Sequence, residues 1–331
     1  MKKILITGGA GYIGSHTVKL LGEQLKGANL YILDDLSTGH QEAILFGEFV
    51  KLSLNDQPKV EELFKRHKFD LVIHFAGSIV VPESVSKPLD YYYNNTVNSH
   101  FLLSLCEKYD VNNFIFSSTA AVYGDNIEDS KIGAKENNTL APTSPYGVSK
   151  LMTEHMIQDY AFANKDFKYA IIRYFNVAGA DPDEKLGQSF PNATHLIKIC
   201  AEVVAGKRDK VKIFGTDYET EDGTCMRDYI HVTDLAQAHV DGVNYLFEGN
   251  ESTIVNCGYG KGYSVREIVN KVKEVSGVDF SVDDTERRPG DPAIIISNAH
   301  KIKKVFKWKP KYNDISKIIE TALNWERIRP F

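Results

Sequence analysis

The sequence predicts an α/β protein, a doubly wound parallel sheet followed by a smaller α/β domain. Three observations carry that expectation. Short apolar runs alternate with segments of helical spacing through the first half of the chain. The stretch Thr7-Gly8-Gly9-Ala10-Gly11-Tyr12-Ile13-Gly14 follows the first run directly and opens into a helical pattern. An acidic residue, Asp34, closes the second run.

Taken in order, residues 4–7, 30–34, 71–75, 114–117 and 170–174 read as buried strands, rich in Ile, Val, Leu and Phe. Between them, residues 12–26, 60–67, 91–107 and 147–163 carry helical spacing. Strands that are apolar throughout are covered on both faces, and their alternation with helices implies βαβ units. Right-handed crossovers then favour a doubly wound sheet. Further on, residues 194–204, 232–247, 264–276 and 315–328 read as helices, separated by polar loops such as 217–223 and 283–291. A composition shift across 176–190 divides the chain into residues 1–176 and 177–331, with some later segments expected to return to the first domain.

Composition narrows the function classes. The 331 residues are 43% apolar and 25% charged, which excludes wholesale disorder. A formal charge of −5 argues against bulk affinity for nucleic acid or an anionic membrane. No apolar run approaches the ~18 residues needed to span a bilayer. The opening Met1-Lys2-Lys3-Ile4-Leu5-Ile6 is interrupted by the glycines before it reaches signal-peptide length. Cys106, Cys200, Cys225 and Cys257 lie far apart, which suits a reducing compartment, so a cytoplasmic protein is expected. No metal is expected, because the histidines, including His195, His231 and His239, lack metal-ligand spacing.

The glycine stretch can be read as Gly8-x-x-Gly11-x-x-Gly14 or as Gly9-x-Gly11-x-x-Gly14. In either register a strand precedes it and a helix follows, so the backbone can approach a pyrophosphate stabilised by the helix N-terminus. Asp34 stands 20 residues after Gly14, where an acidic side chain accepts ribose hydroxyls. The Rossmann-type cofactor expected is NAD rather than NADP, and Asp35 strengthens that preference.

In Pro145-Tyr146-Gly147-Val148-Ser149-Lys150, Tyr146 and Lys150 share one face of a helix that starts here. Just upstream, Ser117-Ser118-Thr119 ends a strand, and strand C-termini face the ligand crevice of such sheets. A phenol ionises near pH ~10, too high for a base at neutrality. A neighbouring ammonium and a positive nicotinamide ring would favour phenolate and lower that value. Thr119 can hydrogen-bond the same reacting hydroxyl. The set implies hydride chemistry on an alcohol or ketone.

These residues resemble the extended short-chain dehydrogenase/reductase family, in its nucleotide-sugar branch, over essentially the whole chain. The resemblance is carried by residues 7–14, His74-Phe75-Ala76-Gly77, Glu83-Ser84-Val85, Lys87-Pro88-Leu89, Asn94-Asn95, residues 117–124 and 144–150, Arg173-Tyr174-Phe175-Asn176, Thr220-Glu221-Asp222-Gly223 and Arg227-Asp228-Tyr229-Ile230-His231-Val232. It implies interconversion of UDP-glucose and UDP-galactose through a 4-keto sugar. Tyr146 would be the base, Lys150 would bind the nicotinamide ribose, and Thr119 would assist at the 4-hydroxyl. Gly8, Gly11, Tyr12, Ile13, Gly14, Asp34, Asp35, Leu36, Ser37, Thr38, Gly39, Ser53, Leu54, Phe75, Ala76, Gly77, Asn94 and Phe175 would line the NAD site. Ser84, Asn176, His195, Leu196, Lys212, Ile213, Phe214, Arg227, Arg288, Asp291 and Ile295 would hold the UDP-sugar, the two arginines at the diphosphate. Pairing as a homodimer through residues 90–108 and 147–163 is also implied.

The chain departs from its relatives at four places. Ile79 stands where many carry Lys, Ser53 where an Asp approaches the adenine, and Thr119 where Ser is common. Ile295, in Arg287-Arg288-Pro289-Gly290-Asp291-Pro292-Ala293-Ile294-Ile295, aligns with a gate beside the sugar 2-substituent, where a Tyr restricts relatives to unsubstituted hexoses. The smaller Ile implies acceptance of UDP-GlcNAc and UDP-GalNAc; alternatively it packs only against its own strand. A 4,6-dehydratase or decarboxylase would share the fold, but dehydratases follow the active-site Thr with Asp-Glu, and here Ala120-Ala121 follow. A non-catalytic NAD-binding protein would have no need of Tyr146, Lys150 and Thr119 together.

Overall fold

The computed structural model describes residues 1–125, 132–190, 193–288 and 291–331. Pro289 and Gly290, named above, lie outside them. The first half runs β1 (Lys3–Thr7), α1 (Tyr12–Gln24), β2 (Asn29–Asp34), β3 (Glu48–Lys51), α2 (Gln57–Arg66), β4 (Leu71–His74), α3 (Val81–Ser86), α4 (Pro88–Tyr91), α5 (Asn98–Lys108), β5 (Asn113–Thr119), α6 (Pro145–Ala163) and β6 (Lys168–Tyr174). The second half adds β7 (Asn176–Ala178), α7 (Leu196–Val204), β8 (Lys210–Phe214), β9 (Met226–His231), α8 (Val232–Phe247), β10 (Thr253–Cys257), β11 (Gly262–Ser264), α9 (Val265–Ser276), β12 (Ser281–Thr285), β13 (Ile294–Ile295), α10 (His300–Val305) and α11 (Ile315–Ile328).

Seven parallel strands form the main sheet, in the order β10-β6-β5-β4-β1-β2-β3. Ile4, Ile6, Ile73 and Ile115 face one apolar layer, closed by α1 and α8. Leu5, Val72, Phe114 and Phe116 face the other, closed by α2, α5 and α6. Alternate residues of the same strands thus bury opposite sides, the Rossmann-type arrangement expected. A smaller core joins α7, α9 and α11 over β8 and β9. Two contacts tie it to α1: Tyr12 donates its hydroxyl to the Gly179 carbonyl at 2.6 Å, half-buried, and Lys19 pairs with Asp181 at 2.6 Å, buried.

Two sequence readings need correction. The helix expected over 91–107 is three pieces: α4, a π-helical turn over Tyr92–Val97, and α5. Within that turn Asn95 accepts from the Ser78 N–H and donates to both the Ser78 carbonyl and Ser149, so side-chain bonds outward accompany the widened coil. Residues 283–285, expected in a loop, finish β12 and pair with β8, where cross-strand bonds override a polar sequence. Strands β3 and β10 had no strong apolar signal: β3 is a half-exposed edge, and β10 is five residues within a polar region. Elsewhere the boundaries shift by a few residues, as where Ser144 caps α6 by accepting from the Gly147 N–H and Pro145 opens it. Among the described residues no helix is long and apolar enough to cross a membrane, and no group of His, Cys, Asp and Glu could hold a metal ion. The four cysteines are buried and free.

Candidate active site

The C-terminal ends of the main-sheet strands open into a cavity of about 790 Å³ that extends over the second core. The glycine turn forms its floor. Gly8 sits at φ +72°, and a Cβ there would stand 2.5 Å from the Ala76 nitrogen. A Cβ on Gly14 would stand 2.2 Å from the Gly8 carbonyl oxygen. On Gly9 it would meet side chains of Ile32, Ile6 and Val18, so the backbone constraint follows the register Gly8-x-x-Gly11-x-x-Gly14. Gly11 is the N-cap of α1 with no side-chain cap, and it lines the cavity with Tyr12 and Ile13. An uncapped helix start with room above it fits the pyrophosphate of a dinucleotide. Asp34, at the end of β2, accepts from the Ala10 N–H (2.9 Å) and the Leu36 N–H (2.9 Å), which orients its carboxylate at the cavity wall. Burial raises its pKa.

Most of the expected cofactor residues line this cavity: Gly8, Gly11, Tyr12, Ile13, Gly14, Asp34, Asp35, Ser37, Thr38, Ser53, Leu54, Phe75, Ala76, Gly77, Asn94 and Phe175. Leu36 and Gly39 stand behind the lining. Leu36 holds a left-handed φ of 62° with its N–H on Asp34, and Gly39 packs against Ala10. On the substrate side Asn176, His195, Leu196, Arg227, Arg288, Asp291 and Ile295 line the cavity. Ser84, Lys212, Ile213 and Phe214 do not. Ser84 spends its hydroxyl on the Val81 carbonyl, Lys212 is exposed, Ile213 is buried in the second core, and Phe214 lies under Arg288, 4.7 Å from the guanidinium. Asp291 bridges the two arginines, at 2.7 Å from Arg288 and 3.9 Å from Arg227.

At the centre are Tyr146, Lys150 and Thr119. Tyr146 and Thr119 both line the cavity, and Thr119 and Tyr174 are the side chains that bear on the Tyr146 hydroxyl. Lys150 lies behind them with its Nζ on the Ser117 carbonyl (3.0 Å) and over the Phe116 ring (4.7 Å). The expected lowering of the phenol by this ammonium is not found in the protein alone. Burial pushes Tyr146 well above its ordinary value, and Thr119 opposes that shift. Burial likewise brings Lys150 down to about 8, and Glu154 opposes that shift. Both effects have one physical cause, since a dry pocket favours whichever form is neutral.

Sequence reasoning missed several lining residues. Tyr174 ends β6 directly opposite Thr119 in the sheet register, and the rule that strand C-termini face the crevice would have found it. Gln188, which bonds His195 at 2.7 Å, Ser189 and Cys225 come from irregular segments without a motif. Phe331 reaches the cavity beside His40, ring centroids 5.2 Å apart, and nothing local signals it.

A glycine turn at a helix start, with a Tyr/Lys helix beside it on a seven-stranded parallel sheet, defines a nicotinamide-dependent enzyme of the short-chain dehydrogenase/reductase type. The chain belongs to the NAD dependent epimerase/dehydratase family, whose sequence model matches residues 4–258. It is 48% identical to a UDP-glucose 4-epimerase of Azospirillum brasilense over 326 residues, covering 98% of this chain and 92% of that one. Among solved structures, the UDP-Glc/GlcNAc 4-epimerase of Campylobacter jejuni is 50% identical, with 99% of each chain covered and a TM-score of 0.85. The UDP-glucose 4-epimerase of Brucella ovis in complex with NAD is 41% identical, again with 99% of each chain covered, at a TM-score of 0.91.

Proposed function

We propose that the chain is an NAD-dependent 4-epimerase of UDP-hexoses, interconverting UDP-glucose and UDP-galactose through a 4-keto sugar. The observation that carries this reading is the meeting of Tyr146 and Thr119 on the wall of the cavity whose floor is the glycine turn, with Lys150 directly behind. The α1 N-terminus, Asp34 and the Phe75–Gly77 loop would hold NAD, which would supply the acceptor for the hydride leaving the sugar C4, the donor that returns it to the other face, and a positive ring that favours phenolate. Tyr146 takes the proton from the sugar 4-hydroxyl, with Thr119 orienting that hydroxyl. Arg227 and Arg288 hold the diphosphate while the keto sugar turns its other face, and Tyr146 returns the proton. Anchoring through the remote nucleotide lets one site serve both faces without losing the intermediate. Ala120 and Ala121 supply no acid or base for elimination, which separates this reading from a dehydratase. Purified protein mixed with UDP-galactose should develop NADH-like fluorescence and show C4 inversion by proton NMR. A cofactor-loaded protein that does neither overturns the proposal.

The same site takes the N-acetylated pair. Ile295 lines the cavity and is 8% exposed, packed with Phe175, Val122 and Tyr123. Its side chain therefore both packs and faces the ligand space. The similarity to a UDP-Glc/GlcNAc 4-epimerase supports this wider range. Ile295→Tyr should lose UDP-GlcNAc turnover while keeping UDP-glucose turnover within a few-fold. Equal loss on both would show that the position governs packing rather than selection.

The assembly is a homodimer joined through the helices over 90–108 and 147–163. Tyr93 (51% exposed), Val97 (42%), Met152 (43%) and Phe162 (80%) leave these two segments with large apolar side chains in solvent. Analytical ultracentrifugation should read twice the chain mass, and a single chain mass at micromolar concentration overturns this.

A further inference from the structure

Helix α6 carries Tyr146, Lys150 and Glu154 at four-residue spacing, all buried. The proposed chemistry uses the first two. Glu154, 0% exposed, lies outside the cavity lining, and its carboxylate is fully engaged. It accepts from Arg173 Nε (3.0 Å) and Nη2 (2.6 Å) and from the Ser118 hydroxyl (2.5 Å). Arg173 also donates to the Tyr123 hydroxyl (3.0 Å), which donates to Asn256 on β10 (2.7 Å). One carboxylate thus joins α6 to β5 and β6, with β10 two hydrogen bonds further on, through Tyr123.

A buried ion pair contributes little to net stability once desolvation is counted, so its position is the informative feature. Ser118 stands between Ser117, whose carbonyl receives Lys150, and Thr119, which lines the cavity wall with Tyr146. Its partner in the sheet register is Arg173, next to Tyr174. The grip of Glu154 therefore falls on the two strand ends that the Tyr/Lys pair must face.

We propose that Glu154 is a positioning residue for the Tyr146–Lys150 pair: it fixes α6 on the ends of β5 and β6 and places a negative charge one turn behind Lys150. This rests on the reading of Tyr146 as the acid–base group. The other titratable neighbours are Tyr174 and Tyr169 on β6, Tyr91 on α4, Tyr123 after β5 and His74 on β4. Burial keeps all of them neutral near pH 7, raising the phenols and holding His74 at about 3. The charges acting on Lys150 are thus the Glu154 carboxylate, which raises its pKa, and the Arg173 guanidinium, which shares that carboxylate.

The test uses the NAD-loaded protein and reads kcat, KM and their pH profiles beside NAD content and melting temperature. Without its anionic neighbour Lys150 loses its proton at lower pH, so Glu154→Gln should move the alkaline limb of kcat downward by about 0.5–1 unit. Glu154→Asp keeps the charge and should keep that limb while lowering kcat. Ser118→Ala removes one strut without exposing a charge and should lower kcat about 10-fold with KM unchanged. Because Glu154→Gln leaves Arg173 buried and unpaired, the double variant Glu154→Gln/Arg173→Gln serves if the single one fails to fold, with a smaller shift in the same direction expected, since the opposing guanidinium is removed as well. Variants that melt earlier yet keep the parent kcat and pH profile overturn the proposal, and Ser118→Ala decides it if neither charge variant folds. If Tyr146→Phe retains turnover, the acid–base reading fails instead; an inactive Tyr146→Phe beside unaltered Glu154 and Ser118 variants sinks this proposal alone.

Discussion

Tyr146→Phe lowers kcat about 10²- to 10⁴-fold while the protein stays folded and keeps its NAD. The substitution removes one oxygen from a ring that is 6% exposed, so packing volume is nearly unchanged. On the proposed reading, what disappears is the group that accepts and returns the C4 hydroxyl proton. Thr119 cannot replace it, because an aliphatic hydroxyl ionises at far higher pH than a phenol. Lys150 points its Nζ at the Ser117 carbonyl and stands behind the wall rather than on it. Stopped-flow reduction of the bound cofactor by UDP-galactose measures the step directly. A rate within a few-fold of the parent would remove Tyr146 from the chemistry.

Gly14→Ala abolishes NAD retention. The added Cβ would sit 2.2 Å from the Gly8 carbonyl oxygen and 2.8 Å from the Gly9 Cα, both backbone atoms in the floor of the site. No side-chain rotation relieves that, so the turn and the start of α1 must separate, at roughly 1–3 kcal/mol of stability. Gly11→Ala is the informative comparison. Its Cβ would meet only the Gly8 carbonyl oxygen, at 3.4 Å, so the fold should survive. The methyl group instead enters the space a pyrophosphate needs, and affinity should fall with little change in melting temperature. Absorbance of cofactor released on denaturation, read beside a thermal melt, separates the two cases. Full NAD content in the purified Gly14→Ala protein would show that the turn tolerates the methyl group.

Much of this site is legible in the sequence, because its chemistry depends on backbone features with local signatures. A glycine that must lie against another backbone, an acidic residue closing β2, and a Tyr and Lys one helical turn apart are each set by short-range geometry. The parts that escape are those made by distance in the chain. Tyr174 reaches Tyr146 only because β5 and β6 pair. The π-helical turn over Tyr92–Val97 breaks a long helical pattern where Asn95 bonds outward to Ser78 and Ser149. Lys212, Ile213 and Phe214 show the converse. Strand alternation sends Ile213 inward and Lys212 outward, so a family-based expectation for three consecutive side chains cannot be met by all of them on one wall. The direction of the Tyr146 shift was also beyond sequence reasoning, because spacing reports neighbours but not dryness.

The place of β10 in the main sheet has a consequence for synthesis and engineering. Residues 253–257 complete the edge beside β6, after the chain has already built β7, β8, β9 and α8. On the ribosome the nucleotide-binding half therefore waits, with the β6 flank unpaired, until three quarters of the polypeptide has emerged. Contacts of such long sequence separation fold slowly and leave a strand edge open to misassembly in the interval. A chimera cut at the composition boundary near residue 176 would carry that open flank permanently. Exchanging substrate halves between relatives should succeed only when the donor fragment brings its own closing strand.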